Sequence, residues 1–268
     1  MNNSINKISI ITVVKNGMPF LKSAIESFKL QSYSNKELII VYAPSYDGTE
    51  TYLKSLNDSN IIIKKDDISK TKFGSINKGI ELSTGNIFGL LHSDDIFYSD
   101  DTLSLIIKNF ELNINCLYGN VIFSKKDNIC IINRIWKSKI FNNNSLRYGW
   151  MPPHTSIFLR KDFFENDKEI YNEKYPISGD YYFILKIFHN PNLKSKFLNN
   201  FITLMRDGGD STKISNLIDK LKEDLTISKL FFKYNYICVI CKILQKVFQI
   251  KIIKIKLNNN YINKLNKL

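Results

Sequence analysis

The sequence predicts an α/β fold: a doubly wound, mostly parallel central sheet flanked by helices, with a C-terminal helical extension. Three observations predict it. Strand-like and helix-like segments alternate through the first 112 residues, the pattern of parallel strands joined by crossover helices. The apolar run Ile87-Phe88-Gly89-Leu90-Leu91 ends abruptly in His92-Ser93-Asp94-Asp95, as a buried strand does where it delivers carboxylates to a cation or to water. After Asp224 the chain carries nine lysines and no acidic residue, which sets the tail apart.

Residues 7–14 (Lys-Ile-Ser-Ile-Ile-Thr-Val-Val) are rich in β-branched side chains and predict a buried first strand. The loop Lys15-Asn16-Gly17-Met18-Pro19 follows. Leu21, Ala24, Ile25 and Phe28 then recur at helical spacing, with Pro19 suited to the helix start. Glu37 to Tyr42 predicts the second strand. Asp47 and Glu50 make a capping-box pattern ahead of a helix carrying Tyr52, Leu53 and Leu56. Ile61 to Ile63 is a third, short strand. A helix over 75–82 leads to Ser83-Thr84-Gly85, with Gly85 as its stop. The fourth strand runs into the acidic pair. Ser99 or Asp100 caps the next helix, which sets Leu103, Ile106, Ile107 and Phe110 on one side.

Beyond Leu112 the alternation weakens. Residues 116–123 and 129–136 predict a hairpin around Lys125 to Asn128. A Pro-Pro loop over 150–154 precedes a short strand over 156–159. Asp180 opens a helix with Tyr182, Ile184, Leu185 and Phe188. Residues 201–205 are strand-like and lead to Arg206-Asp207-Gly208-Gly209-Asp210-Ser211; helix resumes from Ser215.

Composition narrows the classes. At 268 residues and 44% hydrophobic, the chain is one large domain or one domain with an appendage. The net charge is +13, but only +4 falls on the first 224 residues, so the body carries no signature of nucleic-acid binding. Four cysteines (Cys116, Cys130, Cys238, Cys241) are too few and too scattered for a disulfide framework. Cys238 and Cys241 form a lone CxxC in an apolar stretch, which reads as packing rather than zinc or redox chemistry. The polar start at Met1 to Lys7 is no signal peptide, and no uncharged stretch spans a bilayer. The expected location is the reducing cytoplasm.

In doubly wound sheets, ligands bind beyond the carboxyl ends of the strands. Lys15-Asn16, the segment Tyr42 to Asp47, and Ser93-Asp94-Asp95 all fall there. No GxGxxG or GxxxxGK[ST] element follows the first strand, so the usual backbone cradles for phosphate are missing. A divalent cation is the other way to hold a diphosphate: carboxylates bind Mg²⁺ or Mn²⁺, which bridges phosphate oxygens. The rival reading of the acidic pair is a surface turn, since Asp and Ser are good turn residues.

Several motifs in order make the chain similar to the family 2 glycosyltransferases of GT-A fold. They are Ile11-Thr12-Val13-Val14-Lys15-Asn16; Gln31-Ser32-Tyr33 before Glu37-Leu38-Ile39-Ile40-Val41; Ser45-Tyr46-Asp47-Gly48-Thr49; Asn77-Lys78-Gly79-Ile80 with Thr84-Gly85; and His92-Ser93-Asp94-Asp95. Pro153-His154 and Ser178-Gly179-Asp180 match the acceptor side, and the likeness spans roughly residues 7–211. It implies residues 1–224 as the GT-A domain, with a nucleotide-sugar half (1–112) and an acceptor-side half (113–224), followed by a basic amphipathic extension over 225–268. It implies an inverting, metal-dependent enzyme that moves a sugar from a nucleotide-diphosphate donor, a UDP-sugar being expected, to a hydroxyl of a glycan or lipid-linked acceptor in surface polysaccharide synthesis. The alternative is a non-catalytic nucleotide- or glycan-binding protein of the same fold; the joint presence of Asp94, Asp95 and Asp180 argues against it.

By this resemblance Asp95 is the main metal ligand, with Asp94 beside it holding the donor ribose or sugar. Thr12, Val14, Lys15, Asn16, Tyr42, Asp47, Asn77, Lys78 and Ser93 are expected around the donor. Asp180 is the implied general base, although its position also suits a helix N-cap. His154 and Arg206 are expected at the acceptor or diphosphate, Arg206 on a Gly-rich loop able to close over phosphates. Two departures stand out. The second strand ends in Tyr42-Ala43-Pro44, where many relatives carry an acidic residue; Tyr42 could instead stack on a base. His92 replaces the commoner Asn.

In the tail, Ile237, Ile240, Cys241, Leu244, Val247 and Phe248 share one helical face, with Lys242 and Lys246 off it, and residues 250–257 alternate Ile and Lys. Such a segment suits the anionic cytoplasmic face of the inner membrane. Packing on the catalytic body or on another subunit is the other reading.

Overall fold

The computed structural model describes residues 6–164, 169–208, 217–249, 255–257 and 259–268. The elements, in order, are β1 (Ile8–Val14), α1 (Leu21–Lys29), β2 (Lys36–Tyr42), α2 (Thr49–Lys54), β3 (Ile61–Lys65), α3 (Lys72–Leu82), β4 (Ile87–Leu90), β5 (Ile96–Phe97) and α4 (Thr102–Asn109). The hairpin β6 (Cys116–Lys125) and β7 (Asn128–Trp136) follows, then β8 (Phe158–Arg160), α5 (Gly179–Phe188) and β9 (Ser195–Arg206). The chain ends in α6 (Leu217–Phe231), α7 (Asn235–Gln249), β10 (Ile255–Lys256) and α8 (Asn260–Leu265).

One sheet runs through both halves in the order β10-β7-β6-β8-β4-β1-β2-β3, with β9 pairing β5 and β6 off that path. β1 lies parallel to both β2 and β4, and β2 parallel to β3. β8 is antiparallel to β4 and to β6. β1, β2 and β4 are buried on both faces, and their side chains alternate between two cores, as a period of two requires, whereas the edge strand β3 is partly exposed. Ile8, Ile10, Leu38 and Ile40 meet α1 and α4 through Leu21, Ala24, Ile25, Phe28, Leu103 and Ile106. Ile11, Ile39 and Val41 meet α3 and α5 through Phe73, Ile76, Ile80 and Ile184. A smaller core joins α8 to β6, β7 and β9.

Local details differ from the sequence expectations at several points. The Met18-Pro19 bond is cis, and α1 starts at Leu21 rather than at Pro19. Gly48, at φ +91°, takes the position before α2, so Asp47 stands one residue outside it. Asp47 still accepts from Thr49 N (3.1 Å) and Thr49 Oγ1 (2.6 Å), while Glu50 reaches back to Ser45 N at 3.3 Å instead of closing a box with Asp47. α3 begins at Lys72, where Thr71 caps it by accepting from Gly74 N, and ends at Ser83. Gly85 therefore is not its stop. A Cβ at Gly85 would lie 2.6 Å from both Lys7 O and Ser9 Oγ, so close approach to β1 demands glycine there. α4 starts at Thr102 after Asp101 rather than at Ser99 or Asp100. The expected strand over 156–159 is a 3₁₀ turn at His154–Ser156 followed by β8. Three strands exceed what the sequence indicated: the short β5, β9, which begins well before residue 201, and β10, which pairs with β7 inside the expected helical extension.

Candidate active site

The carboxyl ends of β1, β2 and β4 converge, and the loops leaving them are tied together. Asn16 sits at φ 52°, in the left-handed region that asparagine tolerates. Its amide oxygen accepts from Tyr46 N (2.9 Å), and its own N–H donates to Ser45 Oγ (3.0 Å). Gly17 N donates to Thr49 Oγ1 (2.9 Å) and Met18 N to Asp47 Oδ2 (2.7 Å). Asp47 is exposed, and despite the opposing effect of desolvation the hydrogen bonds from Thr49 and Met18 lower its pKa. Asp47 and Asn16 thus brace the β1 loop against the β2 loop. Thr12 is buried and donates to Leu91 O at 2.7 Å, locking β1 to the end of β4. Val14 and Tyr42 are buried in the core on the α1 side; at 8% exposure Tyr42 offers little ring face to a base. Lys15 lies exposed at the strand end.

The acidic motif follows β4 directly. Asp95 is 1% exposed. Its Oδ1 accepts from Arg206 N at 3.1 Å, and its Oδ2 makes no hydrogen bond. His92 Nδ1 lies 3.4 Å from that oxygen. Burial and the neighbouring Asp94 push the Asp95 carboxyl up to about 6, against the opposite pull of His92 and the Arg206 N–H. His92 shifts the other way from burial alone: the charges of Asp95 and Asp94 overcome its desolvation and raise it. Donor atoms of His92, Asp94 and Asp95 lie within 4.8 Å of one another. A buried carboxylate oxygen without a partner, beside a second carboxylate and an imidazole, fits a divalent cation. Ser93 and Asp94 are half-buried at the same turn.

Arg206 ends β9, and its own side chain is buried behind the motif. The guanidinium donates to Asp94 O and to Ser23 Oγ, both at 3.1 Å, and stacks 4.7 Å from the centre of the Phe20 ring. It holds the acidic turn in place through backbone and side chain together. Gly209, Asp210 and Ser211, the rest of the expected closing loop, lie outside the described residues.

In the half of the chain beyond residue 112, His154 Nε2 stands 3.1 Å from His92 Nε2, with the rings 4.9 Å apart. Burial, then the charge of His92, pushes His154 down, while Asp180 pulls it the other way. Asp180 occupies the first turn of α5; Ser178 is the N-cap residue and makes no side-chain cap bond. Asp180 is not the cap, and its Oδ1 accepts from Tyr181 N at 2.8 Å. Burial pushes its carboxyl up, but His154, Lys220, Lys242 and Lys72 outweigh it and hold Asp180 below the usual range, ionised and able to accept a proton. The Asn77 side chain clamps the backbone of Tyr171, donating to Tyr171 O (2.8 Å) and accepting from Tyr171 N (2.9 Å). Lys78 is half-buried on α3.

Three cations that act on Asp180, Lys72, Lys220 and Lys242, have no strand-end signal in the sequence. Lys72, at the start of α3, acts on His92, His154 and Asp180 together. Lys242 reaches in from α7, 2.9 Å from Asp224 and 3.5 Å above the centre of the Tyr181 ring. A groove of about 540 Å³ beside Asn115, Arg160 and Lys194 lies near the start of β4, at the sheet end opposite these groups.

A sheet of this topology with an acidic cluster at its strand ends is the architecture of a class, the glycosyltransferases. Residues 9–175 match the family described as Glycosyl transferase family 2, and the chain belongs to that family. It is similar, at 25% identity over 87% of its length and 92% of the relative, to the Escherichia coli UDP-Glc:alpha-D-GlcNAc-diphosphoundecaprenol beta-1,3-glucosyltransferase WfgD. A PGL/p-HBAD biosynthesis glycosyltransferase of Mycobacterium bovis is 26% identical, covering 79% of this chain and 80% of its own. An uncharacterized glycosyltransferase of Haemophilus influenzae is 24% identical over 66% of this chain, which spans 58% of that protein. Among solved structures, the Pyrobaculum calidifontis mannosyltransferase PcManGT with GDP-Man and Mn²⁺ superposes with a TM-score of 0.61 at 12% identity, covering 84% of this chain and 64% of its own. S. aureus TarS 1-349 with UDP-GlcNAc gives 0.60 at 14%, covering 83% and 66%. The fold is GT-A.

Proposed function

We propose that the protein is an inverting, metal-dependent glycosyltransferase that moves a sugar from a nucleoside-diphosphate donor, a UDP-sugar, to a hydroxyl of a glycan or lipid-linked acceptor in surface polysaccharide assembly. The observation that carries this reading is the open Oδ2 of buried Asp95, held by Arg206 at the tip of β4 where three strand ends meet. A divalent cation bound there, Mn²⁺ or Mg²⁺, supplies neutralisation of the departing diphosphate. Asp95 and Asp94 are its ligands. Asp180 takes the proton of the acceptor hydroxyl as it attacks the anomeric carbon. One base and one attack give inversion at that carbon. The name of the E. coli relative, a UDP-Glc:alpha-D-GlcNAc-diphosphoundecaprenol glucosyltransferase, supports a UDP-sugar donor and a lipid-linked acceptor.

The test is hydrolysis of UDP-sugars by the full chain with Mn²⁺, scored as UDP released. Asp95→Ala abolishes it, and Asp180→Asn lowers transfer to an acceptor by roughly 10²–10⁴-fold while leaving donor binding in place. Full activity in Asp95→Ala sinks the metal reading. A thermal-shift screen of nucleoside diphosphates, each with and without Mn²⁺, identifies the base.

The tail supports attachment to the surface of an anionic membrane. Cys238, Val239 and Lys242 of α7 face the body, while Ile237, Ile240, Ile243 and Leu244 are exposed, between 37% and 53%. The apolar stripe therefore points outward, near the exposed Lys229 and Lys233. The side chains of Val247 and Phe248, and residues 250–254, lie outside the described residues. No described helix is long and apolar enough to cross a membrane.

A further inference from the structure

The metal-dependent reading above leaves open which atoms of this chain grip the ion, and His92 bears on that choice. His92 Nδ1 and Asp95 Oδ2 are 3.4 Å apart. Two ligands each about 2.1 Å from one ion stand roughly 3.0–3.4 Å apart across octahedral to tetrahedral angles. The spacing is that of a chelating pair. Asp95 Oδ2 is buried and has no hydrogen-bond partner, so the pair faces an unmet need for positive charge. Asp94 completes the group within 4.8 Å.

The second nitrogen of His92 is already engaged. Nε2 lies 3.1 Å from His154 Nε2. A hydrogen bond between two ring nitrogens needs one donor and one acceptor. When His92 Nε2–H donates to His154, the His92 lone pair sits on Nδ1 and faces Asp95. Metal-bound imidazoles are oriented this way, with the far N–H fixed by a neighbour that sets ring and tautomer. His154 then acts as the positioning residue for the ligand.

We propose that His92 Nδ1 is a direct ligand of the divalent cation beside Asp95, and that this nitrogen biases the site against Mg²⁺ and toward first-row transition ions such as Mn²⁺. Mg²⁺ favours oxygen donors in a strict octahedron and sheds water reluctantly, whereas imidazole suits transition ions. An amide oxygen at position 92 removes the bias.

The experiment uses the full chain with Mn²⁺ and inorganic pyrophosphate, a diphosphate that contains no nitrogen. Electron spin-echo spectroscopy of bound Mn²⁺ is expected to show coupling to one imidazole nitrogen. The coupling persists in His154→Gln and vanishes in His92→Asn. In parallel, Mg²⁺ competition against Mn²⁺ is expected to become about tenfold more effective in His92→Asn. Bound Mn²⁺ without nitrogen coupling, or coupling that survives in His92→Asn, overturns the assignment of His92 and leaves the glycosyltransferase reading standing. A wild-type chain that binds no Mn²⁺ overturns both.

Discussion

Glu37 is a carboxylate placed inside the sheet, 3% exposed, and it survives there because every lone pair is answered. It accepts from Ser9 Oγ (2.6 Å), Thr84 N (2.6 Å), Thr84 Oγ1 (2.8 Å) and Gly85 N (3.2 Å), and pairs with Lys7 at 2.6 Å. Burial alone would push its carboxyl up; Lys7, Ser9 and Thr84 bring it down to about 2 from 4.5. A folded value below the unfolded one means that the stabilisation is complete above pH 4.5. It is lost as pH falls from there toward 2, and it amounts to on the order of 3 kcal/mol. Glu37→Gln should therefore unfold at lower urea than the wild type at pH 7, with the gap closing as the pH drops through that window. A gap that stays constant with pH refutes the assignment. Arg206 poses the same question at the site. Arg206→Gln removes the donors to Asp94 O and Ser23, and should cost about 2 kcal/mol. Mn²⁺-dependent hydrolysis should fall further than stability does, because the acidic turn loses its anchor at Asp94 O while only the backbone bond to Asp95 remains. Equal activity in that variant would show that the acidic turn holds itself.

Elements show why some of this was legible in the sequence. β1, β2 and β4 are β-branched or apolar runs buried on both faces, and in a parallel sheet such runs deliver whatever follows them to one edge. The placement of Asn16, Asp47 and Asp95 together follows from that rule. β5 has two residues, and the early part of β9 carries Ser195, Lys196, Asn199 and Asn200, so neither shows a clear apolar pattern. Cys238 of the lone CxxC is fully buried, and its thiol lies in hydrogen-bond contact with Leu146 O and Tyr181 Oη. Helical spacing identified the apolar stripe of α7 but could not tell which side turns inward. That choice goes with Lys242, whose ion pair with Asp224 and seat over Tyr181 draw its side of the helix in, together with Cys238 and Val239. The docking is tight at Gly149, at φ +73°, where a Cβ would stand 2.3 Å from Lys242 N. Gly149→Ala should thus be strained in backbone and packing, costing about 1–3 kcal/mol. Faster amide exchange in α7 than in β1 would mark the helix as the part released; uniform exchange changes would contradict this.

Taken whole, the molecule places its strand-end chemistry and its outward apolar helix on one continuous scaffold, since α7 packs on the 3₁₀ turn Ser145–Tyr148 and, through Lys242, on Tyr181, the neighbour of Asp180. Ile240 and Leu244 are 53% and 49% exposed, so their remaining apolar area is free to enter an interface, and on the proposed membrane reading the basic tail would favour anionic headgroups. Replacing both by serine forfeits the burial of roughly half of each side chain, on the order of 1 kcal/mol apiece, and should lower partitioning onto phosphatidylglycerol vesicles about tenfold or more. The melting temperature should scarcely move, because these side chains face solvent in the fold. Flotation of the full chain with vesicles, compared with Ile240→Ser/Leu244→Ser at low and high salt, reads the effect directly. If the doubly substituted chain floats as well as the wild type, or the wild type fails to float at all, α7 presents its stripe to something other than lipid.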